Sequence, residues 1–138
     1  MRITVDTNIL VSAAFWHGVS SEIIKRVEYG ELELVLSGGI IEEFAGVLNY
    51  KEIRDKIKNK NLEMKLSVDK IMQISTIIEP RQKFDVVKED PDDNKILECA
   101  KAGNVDLIIS NDKHLLKLKN FEGIRIIAPS EFKKLLGQ

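Results

Sequence analysis

Hydrophobic positions along the chain fall into two rhythms: short, nearly unbroken runs, and longer stretches with one apolar stripe at helical spacing. The first run, Ile3-Thr4-Val5, is β-prone and stops at the carboxylate Asp6. Ile9, Leu10, Val11, Ala13, Ala14 and Phe15 are too apolar for a surface helix and predict a buried one, broken by Trp16-His17-Gly18. A second helix is expected behind Ser20 or Ser21 as N-cap, with Ile23, Ile24 and Val27 as its stripe and Gly30 as its stop. Leu32 to Leu36 reads as a second strand. Ser37-Gly38-Gly39 then turns the chain into a third helix carrying Ile40, Ile41, Phe44, Val47 and Leu48.

After a polar stretch, Leu62 to Ile74 reads as a helix with Met64, Val68, Ile71 and Met72 on one face. Ile77-Ile78 and Phe84 to Val87 are short extended pieces. An acidic run, Asp90-Pro91-Asp92-Asp93, leads into a helix through Ile96, Leu97 and Ala100 to Gly103. Leu107 to Ile109 is a short buried strand, followed by a helix bearing Leu115, Leu116 and Leu118. Ile124 to Ile127 is a last strand, and Pro129 opens a C-terminal helix with Ser130 as its expected N-cap. Strands that alternate with helices imply an α/β fold. Its sheet is parallel, covered on both faces and joined by right-handed crossovers. The chain carries no internal repeat and no low-complexity tract.

Composition narrows this picture. A chain of 138 residues reads as a single domain over 1–138, and 43% apolar with 31% charged residues is a globular balance. Cys99 is the one cysteine, so no internal disulfide forms, and a reducing, cytoplasmic setting is expected. No apolar run approaches the roughly 20 residues that span a bilayer, and no signal peptide is expected. The net charge of -1 does not announce a nucleic-acid partner, which would need a local basic patch or a bound metal.

The candidate chemistry lies in carboxylates. Asp6 and Asp112 follow the first strand and the Leu107 strand, which puts both at one edge of a parallel sheet, where ligands bind. At 100° per residue, Asp93 shares a helix face with Ile96, Leu97 and Ala100, while Asp92 falls aside and Asp90 precedes the helix. Glu43 flanks the stripe of the third helix, whereas Glu42 lies with Gly46 and Asn49 toward solvent. Crowded carboxylates repel unless a cation neutralises them. Asp and Glu without His or Cys suit Mg²⁺ or Mn²⁺, which polarise phosphate and activate water. Each acid also has a plainer reading. Asp6, Asp93 and Asp112 stand at helix starts, where Asp commonly caps, and a lone Glu beside an apolar stripe is usually a surface residue. Capping alone does not require that they converge.

Four ordered segments resemble a PIN domain: Val5-Asp6-Thr7-Asn8, then Ser37 with Glu43-Phe44, then Asp90-Pro91-Asp92-Asp93-Asn94-Lys95-Ile96-Leu97, then Ser110-Asn111-Asp112. The resemblance covers almost the whole chain and is nearest to the VapC-like toxins of toxin–antitoxin pairs. It implies a three-layer α/β/α sandwich with a parallel sheet of about five strands in order 3-2-1-4-5. It implies a Mg²⁺- or Mn²⁺-dependent ribonuclease whose catalytic, metal-binding acids are Asp6, Glu43, Asp93 and Asp112. Thr7, Asn8, Ser110 and Asp92 take supporting places, and the implied partners are RNA, a small antitoxin and a second copy of the chain.

Lys51, Arg54, Lys56 and Lys58 form a stretch suited either to gripping RNA phosphates or to a solvated helix face. His114 reads as a helix-surface residue, His17 as a turn residue and Cys99 as core. Ser37-Gly38-Gly39 lacks the continuation of a P-loop. Two rival readings remain. An aspartate-based phosphohydrolase would use Asp6 as nucleophile, but the second acid of an Asp-x-Asp pair is replaced by Asn8. A non-catalytic RNA- or protein-binding module of the same fold would be marked by a lost acid, and all four are in place.

Overall fold

A computed structural model describes residues 1–50, 53–55, 58 and 66–137. At its centre is a six-stranded sheet of β1 (Arg2–Val5), β2 (Glu33–Ser37), β3 (Ser75–Ile78), β4 (Leu107–Ile109), β5 (Asn120–Phe121) and β6 (Ile124–Ile127). Their order is β3-β2-β1-β4-β6-β5, with every pairing parallel except β5 against β6. The expected parallel order therefore holds, with Ile124–Ile127 as its fifth strand, and a two-residue strand is added outside it. That strand escapes sequence reading because it is short and has a modest turn signal. Glu122 and Gly123 take φ of 48° and 86°, the backbone a tight two-residue hairpin turn requires, and Phe121 pairs with Ile124 across it.

Helices pack around the sheet: α1 (Thr7–Phe15), α2 (Val19–Glu28), α3 (Gly38–Leu48), α4 (Val68–Ile74), α5 (Asn94–Ala102), α6 (Lys113–Leu116) and α7 (Pro129–Leu136), with one 3-10 turn, Pro91–Asp93, leading into α5. The chain runs from β1 through β2 to β3 in one direction, then crosses back to β4 and β6. Right-handed crossovers in opposite directions place helices on opposite faces. The alternation of side chains within β1 reflects this split. Thr4 faces α5, where its Oγ1 lies 3.6 Å from Cys99 Sγ, while Ile3 and Val5 are fully buried on the other side. Cys99 is core, as expected, and burial pushes its thiol up to about 11.

The close approach of α5 to the sheet depends on Gly103. A Cβ there would stand 2.6 Å from Val35 Cγ1 on β2, so the helix C-terminus packs against the strand without a side chain between.

Three expected details differ. Ser20 and Ser21 are buried inside the first turn of α2, and its N-cap is Gly18, whose carbonyl accepts from Glu22 N at 3.0 Å. Ser130 does not cap α7. Ala128 does, through its carbonyl, and Pro129 at the first helical position has no N–H to satisfy. Of the face expected for the fourth helix, Ile71 is buried but Met72 is 45% exposed, and Met64 lies outside the described residues. The helix begins only at Val68, where Ser67 Oγ accepts from Lys70 N at 3.1 Å.

Candidate active site

The strand order reverses between β1 and β4, which lie side by side at the centre of the sheet. Such a reversal opens a crevice beyond the strand ends. Asp6 leaves β1 there, and Ser110-Asn111-Asp112 leaves β4. One hydroxyl ties the two ends together. Ser110 Oγ donates a short hydrogen bond to Asp6 Oδ2 and accepts from Asp112 N at 2.9 Å. The remaining oxygens cap helices: Asp6 Oδ1 accepts from Ile9 N at 3.1 Å, and Asp112 Oδ1 from His114 N at 2.7 Å. Asp6 and Asp112 are thus caps and cleft residues at once.

Asp93 is different. It occupies the N-cap position of α5 but makes no capping hydrogen bond, and its Oδ2 is buried without a partner. Asp93, Asp112 and Asp90 each place a carboxylate oxygen within 4.8 Å of the others. Burial, and then the neighbouring Asp112, Asp90 and Asp6, push the Asp93 carboxyl up to about 7. Burial also raises Asp6 above its ordinary value, with Asp112 adding and the bonds from Ser110 and Ile9 opposing. Both shifts share two physical causes: partial burial of the carboxyl and the other carboxylates beside it.

Asp6, Glu43, Asp93 and Asp112 all line one small cleft, together with Thr7, Asn8 and Asp92. Glu43 comes from α3, whose start is fixed by Ser37 Oγ accepting from Ile40 N at 3.3 Å. As the helix-face argument expects, Glu42 is exposed and Glu43 half-buried. The Glu43 carboxylate meets a cation of the chain itself, Lys95 Nζ, at 2.7 Å, and the same nitrogen lies 4.0 Å from Asp92 Oδ1. The hydrogen bond to Glu43 pushes the Lys95 ammonium up. A wider groove adjoins the cleft, sharing Glu43 and Asp92 and running past Gly38, Gly39, Lys83 and Lys95.

From the sequence, Asp90 is placed only as preceding the helix, and Asn94 and Lys95 have no role beyond their place in the motif. Asn94 is buried and uses its whole amide. Its Oδ1 accepts from Val86 N and Val87 N at 3.0 and 2.9 Å, and its Nδ2 donates to Val87 O and Pro91 O, both at 3.0 Å. Its position three residues before buried Leu97 put it on the inward face of α5, which was the readable signal. Its partners in 86–91 were not readable. Of the expected RNA contacts, Lys51 and Lys56 lie outside the described residues. Lys58 is exposed, and Arg54 is exposed with Nη2 donating to Asn49 Oδ1 at 2.8 Å. His17 is exposed, and His114 Nδ1 lies 2.7 Å from Glu89 Oε2.

The donor set fits a hard divalent cation. It consists of carboxylate oxygens of Asp90, Asp93 and Asp112, and Asp93 also keeps one oxygen buried and unpartnered. A family model described as a PIN domain matches residues 2–114. No match was found among curated proteins.

Proposed function

The chain belongs to the PIN-domain family, and on that premise we propose that it is a metal-dependent endoribonuclease hydrolysing RNA phosphodiester bonds. The family match supports nuclease chemistry. The observation that carries the reading further is Asp93, an acid at a helix start that caps nothing, keeps one oxygen buried and unpartnered, and places a carboxylate oxygen within 4.8 Å of those of Asp90 and Asp112.

When bound, a Mg²⁺ or Mn²⁺ ion would supply Lewis-acid polarisation of the phosphate and acidify water. Asp93 and Asp112 would hold it, with Asp6 completing the negative wall. Ser110 fixes the rotamer of Asp6 through the bond to Oδ2, leaving the opposite oxygen on Ile9 N. Lys95 holds Glu43 at the rim, where a carboxylate can orient an attacking water toward phosphate. Thr7 and Asn8, in the first turn of α1, line the same floor. Lys51, Arg54, Lys56 and Lys58 would contact RNA phosphates.

The same reading makes the protein the toxin of a toxin–antitoxin pair. It acts as a cytoplasmic homodimer restrained by a small antitoxin, and relief of growth arrest by a co-expressed neighbouring gene product tests that part. No helix among the described residues is long and apolar enough to cross a membrane. The central test is cleavage of a mixed RNA pool with Mn²⁺ or Mg²⁺, against EDTA and beside Asp6→Asn. Cutting that EDTA stops and the variant lacks is the expected result. A protein that neither cuts nor binds metal is a binding module instead.

A further inference from the structure

The acidic run Asp90-Pro91-Asp92-Asp93 offers three carboxylates, and the fold treats them differently. The Asp92 side chain is 81% exposed and lies 4.0 Å from Lys95 Nζ. Asp93 faces the cleft from the start of α5. Asp90 precedes the helix, with φ of -141° and ψ of 85°, yet its carboxylate lies with those of Asp93 and Asp112. No helix-face rule brings it there. Segment 86–91 must be folded back over the N-terminus of α5, and Asn94 supplies the template. Its four hydrogen bonds grip Val86, Val87 and Pro91 from inside, on both sides of Asp90 in the sequence. On the outside, His114 Nδ1 and Lys117 Nζ hold Glu89 at 2.7 and 3.6 Å. A loop fixed at this many points delivers one acid to a set place.

We infer that Asp90 is a ligand of the divalent cation at this site, and that Asn94 is the positioning residue that holds it there. The inference rests on reading the cleft as a metal centre. It adds to the set Asp6, Glu43, Asp93 and Asp112 an acid that no strand end or helix face predicts. Glu43 already has a cationic partner in Lys95, whereas the Asp90 carboxylate has an oxygen within 4.8 Å of oxygens of Asp93 and Asp112. Asn94 has no group of its own to give the ion, because its amide is fully used within the chain. Its effect on metal binding must pass through Asp90, as outer residues around metal sites commonly act.

The experiment is calorimetric titration of the full chain with Mn²⁺ alone, in the absence of RNA, accompanied by melts of the metal-free proteins. Asn94→Ala is expected to weaken Mn²⁺ binding about 10- to 100-fold, the range for outer-shell residues, and Asp90→Asn by at least as much. The double variant is expected to bind no more weakly than Asp90→Asn alone, because residues acting through one ligand are not additive. Asp85→Asn, an exposed acid just before that segment and paired with Lys88 at 2.6 Å, is expected to bind as wild type does. If Asn94→Ala does not fold, Asp90→Asn decides alone. Wild-type affinity in Asp90→Asn, with binding lost in Asp93→Asn, overturns the inference and leaves the metal centre standing. Full additivity of the two losses overturns the role of Asn94. No binding by the wild-type chain overturns the metal centre and the inference with it.

Discussion

Replacing Asp93 with Asn should make the metal-free protein more stable while abolishing the proposed metal-dependent cleavage. The carboxyl is pushed up from an ordinary 3.8 to about 7 by burial and by Asp112, Asp90 and Asp6. The folded protein therefore holds a proton that the unfolded chain has released. Wherever the folded state binds more protons, stability falls as pH rises. The Asp93 penalty is absent at pH values below 3.8, builds up as pH rises from there, and is complete above about 7. The rise from 3.8 to about 7 sets an upper bound of roughly 4 kcal/mol. Solvent reaches the cleft and screens the repulsion, so roughly 1–2 kcal/mol is expected. Asparagine has nearly the same shape without the charge and removes that penalty. For a chain of this size the gain corresponds to about 3–7 °C in Tm. The assay is thermal unfolding in EDTA from pH 4 to pH 8.5, with wild type and variant side by side. The curves should converge at the acidic end and separate above neutrality. A variant destabilised equally at every pH would refute the reasoning, since Asp93 would then be holding the helix rather than storing repulsion. Adding Mn²⁺ should raise the Tm of wild type far more than that of the variant, with a stabilisation of about 2.7 kcal/mol for wild type at a hundred times Kd.

Other substitutions probe separate parts of the structure. Ser110→Ala removes the hydroxyl shared by Asp6 and Asp112 N. It should cost about 1–3 kcal/mol in urea unfolding and lower cleavage; unchanged values on both counts would show the bridge to be idle. Gly103→Ala drives a methyl to 2.6 Å from Val35 Cγ1 and should destabilise by about 1–3 kcal/mol. A melt matching wild type would mean that α5 shifts freely on the sheet. Glu43→Gln should cut RNA poorly and Glu42→Gln normally, with both within about 1 kcal/mol of wild type in stability because the Lys95 pair is part-exposed. The reverse order of activities would remove Glu43 from the site.

Much of this could be read from the chain because it depends on local periodicity. A strand that stops at Asp6, a helix that starts after Ser37, and the face shared by Asp93, Ile96 and Leu97 are consequences of spacing alone. Glu43 against Glu42 was decided by the same geometry. What could not be read depends on partners far away in sequence or on backbone that carries no side-chain signal. Asp90 reaches the cleft through bonds that Asn94 makes to 86–91, and no period encodes them. Lys95 meets Glu43 across 52 positions of chain. Ser130 looks like a helix cap by residue type, but Pro129 has already begun the helix, which puts Ser130 inside its first turn rather than before it. The turn at Glu122-Gly123 offers a single glycine, and its strand is too short to alternate.

That small hairpin has a consequence for the behaviour of the protein at high concentration. A parallel strand at the margin of a sheet exposes a row of amide and carbonyl groups, and any extended chain can add to it. β6 would be such a margin. Instead, Asn120 and Phe121 run antiparallel along it, and Ile126 N donates to Lys119 O at 2.9 Å. The strand that closes the row is only two residues long and flanked by Lys119 and Glu122, with φ of 64° and 48°. A newcomer finds too little straight backbone to pair with, so the chain guards this border against stacking into fibrils.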